Sequence, residues 1–388
     1  TRPDYAYTPY VPRAQEHLKV PEWLNNLIYY HNRGNSTFAG ESSTFGDFSG
    51  LDDLMTENPR VVQGFIDIYG AWLDRFAVDG FRIDTAKHVN PEFWQRFVPA
   101  MLARARAAGI PNFHIFGEVN TSDVDPGLLA VHTRVDRLPA VLDFAFAAAV
   151  RQSVAGAAGT DVLARLFEDD ALYEGGAQAA LQLPTFISNH DNGRFGYFVR
   201  TLRPGITDDE TLRRVLLAHA LLFTLRGVPV VYYGDEQGFV GLGGDQDARQ
   251  DMFASQVASY ANERPLGSAG GGGDHFDTQH PLYRAIAALA RLRRTEAALR
   301  RGRQLVRSYG PAPGLFAVSR IDPDSGRELL IAFNTSRAPV SAQVLIESTS
   351  RHFITLHGGC QHEPVAPGSY LVRVAPLDYV VCASAAGE

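Results

Sequence analysis

From Asn58 to Leu299 the chain repeats one rhythm, a short apolar run followed by a longer helical stripe, and few folds accept such a pattern. Pro59 suits a first helical turn, and Val61, Val62, Phe65, Ile66, Ile68, Tyr69, Trp72, Leu73 and Phe76 follow it at helical spacing. A strand is expected over Gly80–Asp84, a helix over Pro91–Ala108, a strand over Phe113–Val119, and another over Val141–Phe144 with an Ala-rich helix behind it. Leu183–Ser188 reads as a strand, Thr211–Arg226 as a strongly apolar helix, Val228–Tyr233 as a buried strand and Leu282–Leu299 as the closing helix. Strands this short and apolar, each followed by a helix, imply a parallel sheet covered by helices. Five such units would fit a doubly wound sheet. Acidic residues close three of the strands, however, at Asp84, at Glu118 and just after Ser188, and polar groups gathered at strand ends are how a barrel builds a site. The expected fold class is α/β, a (β/α)8 TIM-type barrel incomplete at the N-terminus, with three strands upstream of Thr1.

Two other regions flank this rhythm. Residues 1–57 are rich in Pro, Tyr, Asn, Ser and Gly without sustained periodicity, and read as a surface excursion. Beyond Gly302 the pattern turns to short alternating runs: 304–308, 315–321, 328–333, 342–346, 370–374 and 379–381, separated by turn signals such as Asp322-Pro323-Asp324-Ser325-Gly326. That spacing predicts a C-terminal antiparallel β-sandwich. Gly270–Gly273 is expected to be a mobile loop of the first domain, because the last helix follows it. At 388 residues the chain is long enough to bury a large core without a disulfide framework.

Charge narrows the partners. Lys plus Arg number 36 against 43 Asp plus Glu, net −7, with no polybasic run, so no nucleic-acid partner is expected. No apolar stretch reaches the ~18–20 residues of a membrane span. Cys360 and Cys382 permit either a disulfide in an oxidising compartment or two buried thiols. The chain starts at Thr1 with no charged-then-apolar leader, which reads as a processed chain or an excerpt.

The strand period puts Arg82 and Asp84 on one face, where the guanidinium is expected to keep the carboxylate ionised, as a nucleophile requires. Standing alone, an Arg-x-Asp pair is more often a structural ion pair. Glu118 closes an apolar strand, and desolvation there is expected to raise its pKa toward general-acid duty. Ser188-Asn189-His190-Asp191-Asn192 follows a buried strand, and by itself reads equally as solvated loop. Three strand ends each offering a carboxylate supply the groups for glycosidic cleavage with retention.

At this point Gly-Phe-Arg-Ile-Asp-Thr-Ala-Lys-His at 80–88, Phe-Gly-Glu-Val at 116–119 and Ser-Asn-His-Asp-Asn at 188–192 resemble conserved motifs of the α-amylase family. Gly227–Glu236 is similar to its last barrel strand, and Gly50-Leu51-Asp52-Asp53-Leu54 to the end of the domain inserted in its barrel. The resemblance implies Asp84 as nucleophile, Glu118 as general acid/base and Asp191 as transition-state stabiliser, with Arg82 orienting Asp84. It implies sugar contacts for Lys87 and His88 on the leaving-group side and for His190 in the cleavage subsite. It further implies Ca²⁺ held by the Asp53 carboxylate and the His88 carbonyl, oxygen donors that suit a hard cation. On this view residues 1–57 are the C-terminal part of the inserted subdomain, 58–301 are barrel strands 4 to 8 with their helices, and 302–388 are the β-sandwich. The family's first conserved region, an Asp and an Asn-His ending the third strand, does not occur in these 388 residues.

The implied protein is a secreted or periplasmic monomer, a retaining endo-acting hydrolase of α-1,4 bonds in starch-like α-glucans or maltooligosaccharides. A transglycosylating relative would use the same residues, and the missing strands also admit a non-catalytic, truncated α-glucan-binding fragment. An enolase-like Mg²⁺ enzyme is disfavoured because Arg82 competes for Asp84 and no strand-end Lys offers a base. Trp23, Tyr29, Tyr30 and His31 are candidates for stacking on sugar rings or for core packing, and the loop 243–251 for shaping subsites or for plain solvation.

Overall fold

The computed structural model describes residues 5–268 and 273–385. Gly270–Gly272 of the expected mobile loop lie outside the described residues. The chain divides into two compact units, 1–120 with 128–142, and 121–127 with 143–388.

The first unit carries a parallel sheet ordered β1 (Gly80–Ile83), β2 (His114–Gly117), β3 (Ala140–Val141). Helices α1 (Pro59–Phe76) and α2 (Pro91–Ala107) pack against each other and follow the expected bounds closely. Asn58 caps α1 by accepting from the Arg60 amide at 2.9 Å, with Pro59 in the first turn, and Ala77 ends it in a left-handed conformation. The irregular segment lies against α1: Trp23 packs edge-on to Phe65, and a Cβ on Gly64 would come within 2.2 Å of the indole. Only glycine admits this approach.

Trp23 and Tyr29 pack edge to face, and buried Tyr30 donates to the Leu24 carbonyl at 2.7 Å. His31 is sealed between two carboxylates, Nδ1 to Asp53 at 2.6 Å and Nε2 to Glu57 at 3.0 Å. For Trp23, Tyr30 and His31 the structure therefore favours packing and internal pairing over sugar stacking.

The second unit holds two parallel strands, β4 (Pro184–Thr185) and β5 (Val228–Pro229), shorter than the sequence suggests. Val228–Tyr233 is not a buried strand: Val228 is 48% exposed and Val230 39%, and among the described residues β5 pairs only with β4. Phe144, placed by apolarity in a strand, instead opens α3 (Phe144–Val150), because the Asp143 carboxylate caps that helix by accepting from the Phe146 amide at 2.9 Å. Asp143 is itself fully buried. The long apolar helix starts earlier than expected, as α4 (Asp208–Thr224), because Thr207 accepts from the Glu210 amide at 3.2 Å and three acidic residues fill its first turn. The closing helix breaks at Glu296 into α5 (Pro281–Thr295) and α6 (Ala297–Arg301).

Beyond it the expected antiparallel sheets appear, β6 (Arg303–Ser308), β7 (Leu315–Ile321), β8 (Glu328–Asn334), β9 (Val340–Leu345), β10 (Ile354–His357), β11 (Ser369–Val374) and β12 (Tyr379–Ala383). Five strands form one sheet, ordered β10-β12-β8-β7-β6, and β11 pairs β9 in the other. Leu330, Ala332, Val344, Tyr370, Val372 and Val380 fill the core, and every residue of β8 is buried. Strand β10, four residues long and mostly exposed, is not among the expected runs. Cys360 and Cys382 form a disulfide, which resolves the open alternative.

Candidate active site

In the first unit β1 delivers Arg82 to its edge and places Asp84 one residue past its end. Thr85 then turns the chain in a left-handed conformation, φ 48°, uncommon for a β-branched residue and a form of strain often found at functional sites. The turn is locked to β2. The Ala86 amide donates to the Glu118 carbonyl at 2.9 Å, and the Glu118 amide to the Ile83 carbonyl at 2.8 Å. A Cβ on Gly117 would meet the Ala86 methyl at 2.7 Å, so the glycine before Glu118 lets strand and turn close up. From α2, Trp94 Nε1 donates to the Ala86 carbonyl at 3.3 Å.

This packing joins two carboxylates through one guanidinium. Arg82 Nη1 donates to Asp84 Oδ2, and Arg82 Nη2 lies 3.4 Å from Glu118 Oε2. The Thr85 amide donates to the same Glu118 oxygen at 3.1 Å. The acids differ sharply in setting: the Asp84 side chain is 61% exposed, that of Glu118 only 7%. One is open to an incoming molecule and the other is shielded, the asymmetry that lets two carboxyl groups take different roles.

Lys87 Nζ donates to the Asn120 carbonyl at 2.8 Å. His88 Nδ1 lies 2.9 Å from the Ser43 carbonyl, with its ring edge-on to Phe38 and Phe48, and burial lowers its pKa, favouring the neutral ring. Asp53 is committed to His31, as above. Burial pushes its pKa up, the His31 hydrogen bond opposes this, and the charges of Asp47 and Glu57 push it further. Glu57 Oε2 is buried without a hydrogen-bond partner. The surroundings of Asp53 are thus rich in hard oxygen donors.

In the second unit His190 and Asp191 sit in a tight turn in which the Asn189 side chain accepts from the Asp191 amide at 3.2 Å and the Asn192 amide at 2.6 Å. His190 Nε2 lies 3.3 Å from Asp191 Oδ2. Arg249 Nη2 approaches Asp191 Oδ1 at 3.3 Å and also pairs with Asp245 at 2.7 Å, so the loop 243–251 is built onto this turn. The Asp245 amide donates to the Asp191 carbonyl at 2.9 Å. Below them buried Arg194 donates to Gln250 Oε1 at 2.7 Å, the Tyr233 carbonyl at 2.8 Å and Asp235 Oδ1 at 2.9 Å. Sequence reasoning missed Arg194 and Arg249 as supports, although each lies in or beside a segment it singled out.

The structure brings together Arg82, Asp84 and Glu118 in one unit, and His190, Asp191 and Arg249 in the other. Residues 4–302 match the family model of the α-amylase catalytic domain. The chain is 44% identical over 382 residues to an α-amylase of Streptomyces lividans, covering 98% of this chain and 41% of that protein, so it spans about two fifths of that relative. It is 28% identical over 277 residues to a cyclomaltodextrin glucanotransferase of Geobacillus stearothermophilus, covering 71% of this chain and 33% of the relative. Among solved structures, an Anoxybacillus α-amylase superposes with a TM-score of 0.74 at 23% identity, covering 94% of this chain and 73% of the other. That likeness carries the family's TIM-barrel fold with its C-terminal antiparallel sheet. With its motifs in order and its catalytic-domain match spanning most of its length, the chain belongs to the α-amylase family.

Proposed function

We propose that this chain carries the catalytic machinery of a retaining, endo-acting hydrolase of α-1,4-glucosidic bonds in starch-like α-glucans. The observation that supports it most is the shared guanidinium: Arg82 holds an exposed Asp84 and a shielded Glu118 at the ends of adjacent strands. Asp84 attacks the anomeric carbon as the glycosidic bond breaks, and Glu118 gives its proton to the departing oxygen. Glu118 Oε2 accepts from the Thr85 amide and faces Arg82, which fixes the carboxyl group beside Asp84. In the second step Glu118 takes a proton from water, whose oxygen attacks the anomeric carbon and frees Asp84 with the original configuration restored.

Arg82 orients Asp84 by donating from Nη1 to Oδ2. Asp191, His190, Lys87 and His88 take the sugar-binding roles their motifs imply, Asp191 as stabiliser of the oxocarbenium-like state. Asp53 and the His88 carbonyl would hold Ca²⁺, with the fields of Asp47 and Glu57 favouring a cation. Such an ion would clamp structure and takes no part in bond cleavage. We assign residues 1–57 to the inserted subdomain, 58–301 to barrel strands 4 to 8 and 302–388 to the β-sandwich. A polymeric glucan substrate and the disulfide both fit a secreted or periplasmic monomer.

Proton NMR of maltoheptaose digestion is the test: the new reducing end appears first as the α-anomer, and first appearance of the β-anomer overturns the proposal. The likeness to cyclomaltodextrin glucanotransferases supports a second reading, transfer of the glycosyl group to another sugar. Transfer products that dominate over hydrolysis when acceptor sugar is added would select it.

A further inference from the structure

The last sheet carries a cluster that the catalytic reading leaves unused. His352, His362 and Glu363 place one ligand atom each within 4.8 Å of the others, the one such group among the described residues. His352 Nδ1 lies 2.7 Å and His362 Nδ1 3.0 Å from the same oxygen, Glu363 Oε1, and all three side chains are exposed. The imidazole rings stand 5.5 Å apart.

Their backbones are fixed more firmly than surface loops usually are. The Phe353 amide donates to the His362 carbonyl at 2.7 Å, which sets the two histidines side by side. Phe353 is itself buried against Tyr370, whose hydroxyl donates to the Gln361 carbonyl at 2.5 Å. The disulfide ties Cys360, two residues before His362, to β12. His352 holds a left-handed conformation, φ 50°, and its carbonyl accepts from the Ala385 amide at 3.1 Å. Little ordering remains to be done when a ligand arrives, which favours binding.

We propose that His352, His362 and Glu363 form a binding site for a divalent transition-metal ion of the Zn²⁺ class. Two imidazoles and one carboxylate suit Zn²⁺, Cu²⁺ or Ni²⁺ and not Ca²⁺, which needs six or more oxygens. On binding, each imidazole shifts its hydrogen from Nδ1 to Nε2, and the two Nδ1 lone pairs and one Glu363 oxygen become ligands, leaving the remaining position to water. The ion ties the 351–353 segment to the 360–363 loop beside β10, the edge strand of its sheet. It thereby pins one edge of that sheet.

Calorimetric titration of the intact chain with ZnCl₂ tests this, alongside thermal unfolding with and without the metal. One Zn²⁺ is expected to bind saturably per chain and raise the unfolding temperature. Affinity should fall by at least about tenfold in His352→Ala and in Glu363→Gln, a variant that keeps the side-chain shape. Absence of saturable binding overturns the site, as does a His352→Ala/His362→Ala double variant that binds Zn²⁺ as the parent does. A CaCl₂ response that the same double variant abolishes as fully as it abolishes the ZnCl₂ response overturns the assignment to transition metals.

Discussion

Arg226 is a charge that composition hides and that the second unit depends on. Its guanidinium is fully buried. Nε donates to both Asp170 oxygens at 2.9 Å, Nη2 to Asp170 Oδ1 at 2.6 Å and Nη1 to Asp143 Oδ2. Burial alone would lower the pKa of Arg226, but Asp170 and Asp143 raise it above its ordinary value. Arg226→Met keeps the volume but leaves two buried carboxylates without their cation. Removing one partner of a buried ionic group costs ~3–5 kcal/mol. The individual hydrogen bonds, at ~1.5–3 kcal/mol each, sum to more than this because they are lost as one unit and do not add.

For a body of this size ~1 kcal/mol shifts the midpoint by ~2–4 °C, so Arg226→Met should unfold ~10 °C earlier. Circular dichroism against temperature and urea measures it. Removing the stranded charges as well, in Arg226→Met/Asp143→Asn/Asp170→Asn, should restore at least ~2 kcal/mol, since an uncharged buried cluster costs less than an unpaired charge. A loss under ~1 kcal/mol in the single variant, or a triple variant no more stable than the single, would refute the reasoning.

Three further outcomes are expected. Arg82→Met should lower kcat on maltoheptaose by at least ~10² while leaving far-UV circular dichroism unchanged, because the guanidinium fixes both acids; a loss under about tenfold would count against that role. His31 is buried, which lowers its pKa, but hydrogen bonds to Asp53 and Glu57 raise it overall. Its folded pKa therefore exceeds the unfolded one, and the stability it contributes is complete below ~6.5 and fades as pH rises through the raised value. His31→Gln should accordingly lower the unfolding temperature more at about pH 6 than at about pH 9, and an equal or reversed difference would contradict the pairing. Cys360→Ser opens a bridge between residues 22 apart, and should cost roughly 3 kcal/mol in urea unfolding.

Much of the site was legible because its chemistry is local. Arg82 and Asp84 are two residues apart at the end of β1 and Glu118 directly follows the strand paired with it, so the pieces lie in short motifs, while their roles came from the family resemblance and not from spacing. Helix α1 was legible for a similar reason, its cap, proline and apolar stripe being contiguous. What escaped depends on residues distant in the chain. Arg226 reads as the end of an apolar helix, and nothing near it signals Asp170 or Asp143, 56 and 83 positions away. For His31 the sequence leaves sugar stacking and core packing open, because the partners that decide it, Asp53 and Glu57, lie 22 and 26 residues on. The strands were overestimated because apolar residues flanking a two-residue ladder bury without extending it, as in 183–188. Phe144 shows the same limit, since a buried Asp143 cap outweighs the strand pattern of its neighbours.

The claim at the centre is that Asp84 forms a bond to the sugar. Incubation with a fluorinated maltosyl fluoride, whose second step is slow, followed by proteolysis and mass spectrometry, addresses it directly, with Glu118→Gln used to slow release further. A maltosyl adduct on Asp84 is expected. An adduct on Glu118, Asp191 or any other side chain, or turnover with no adduct at all, would contradict it.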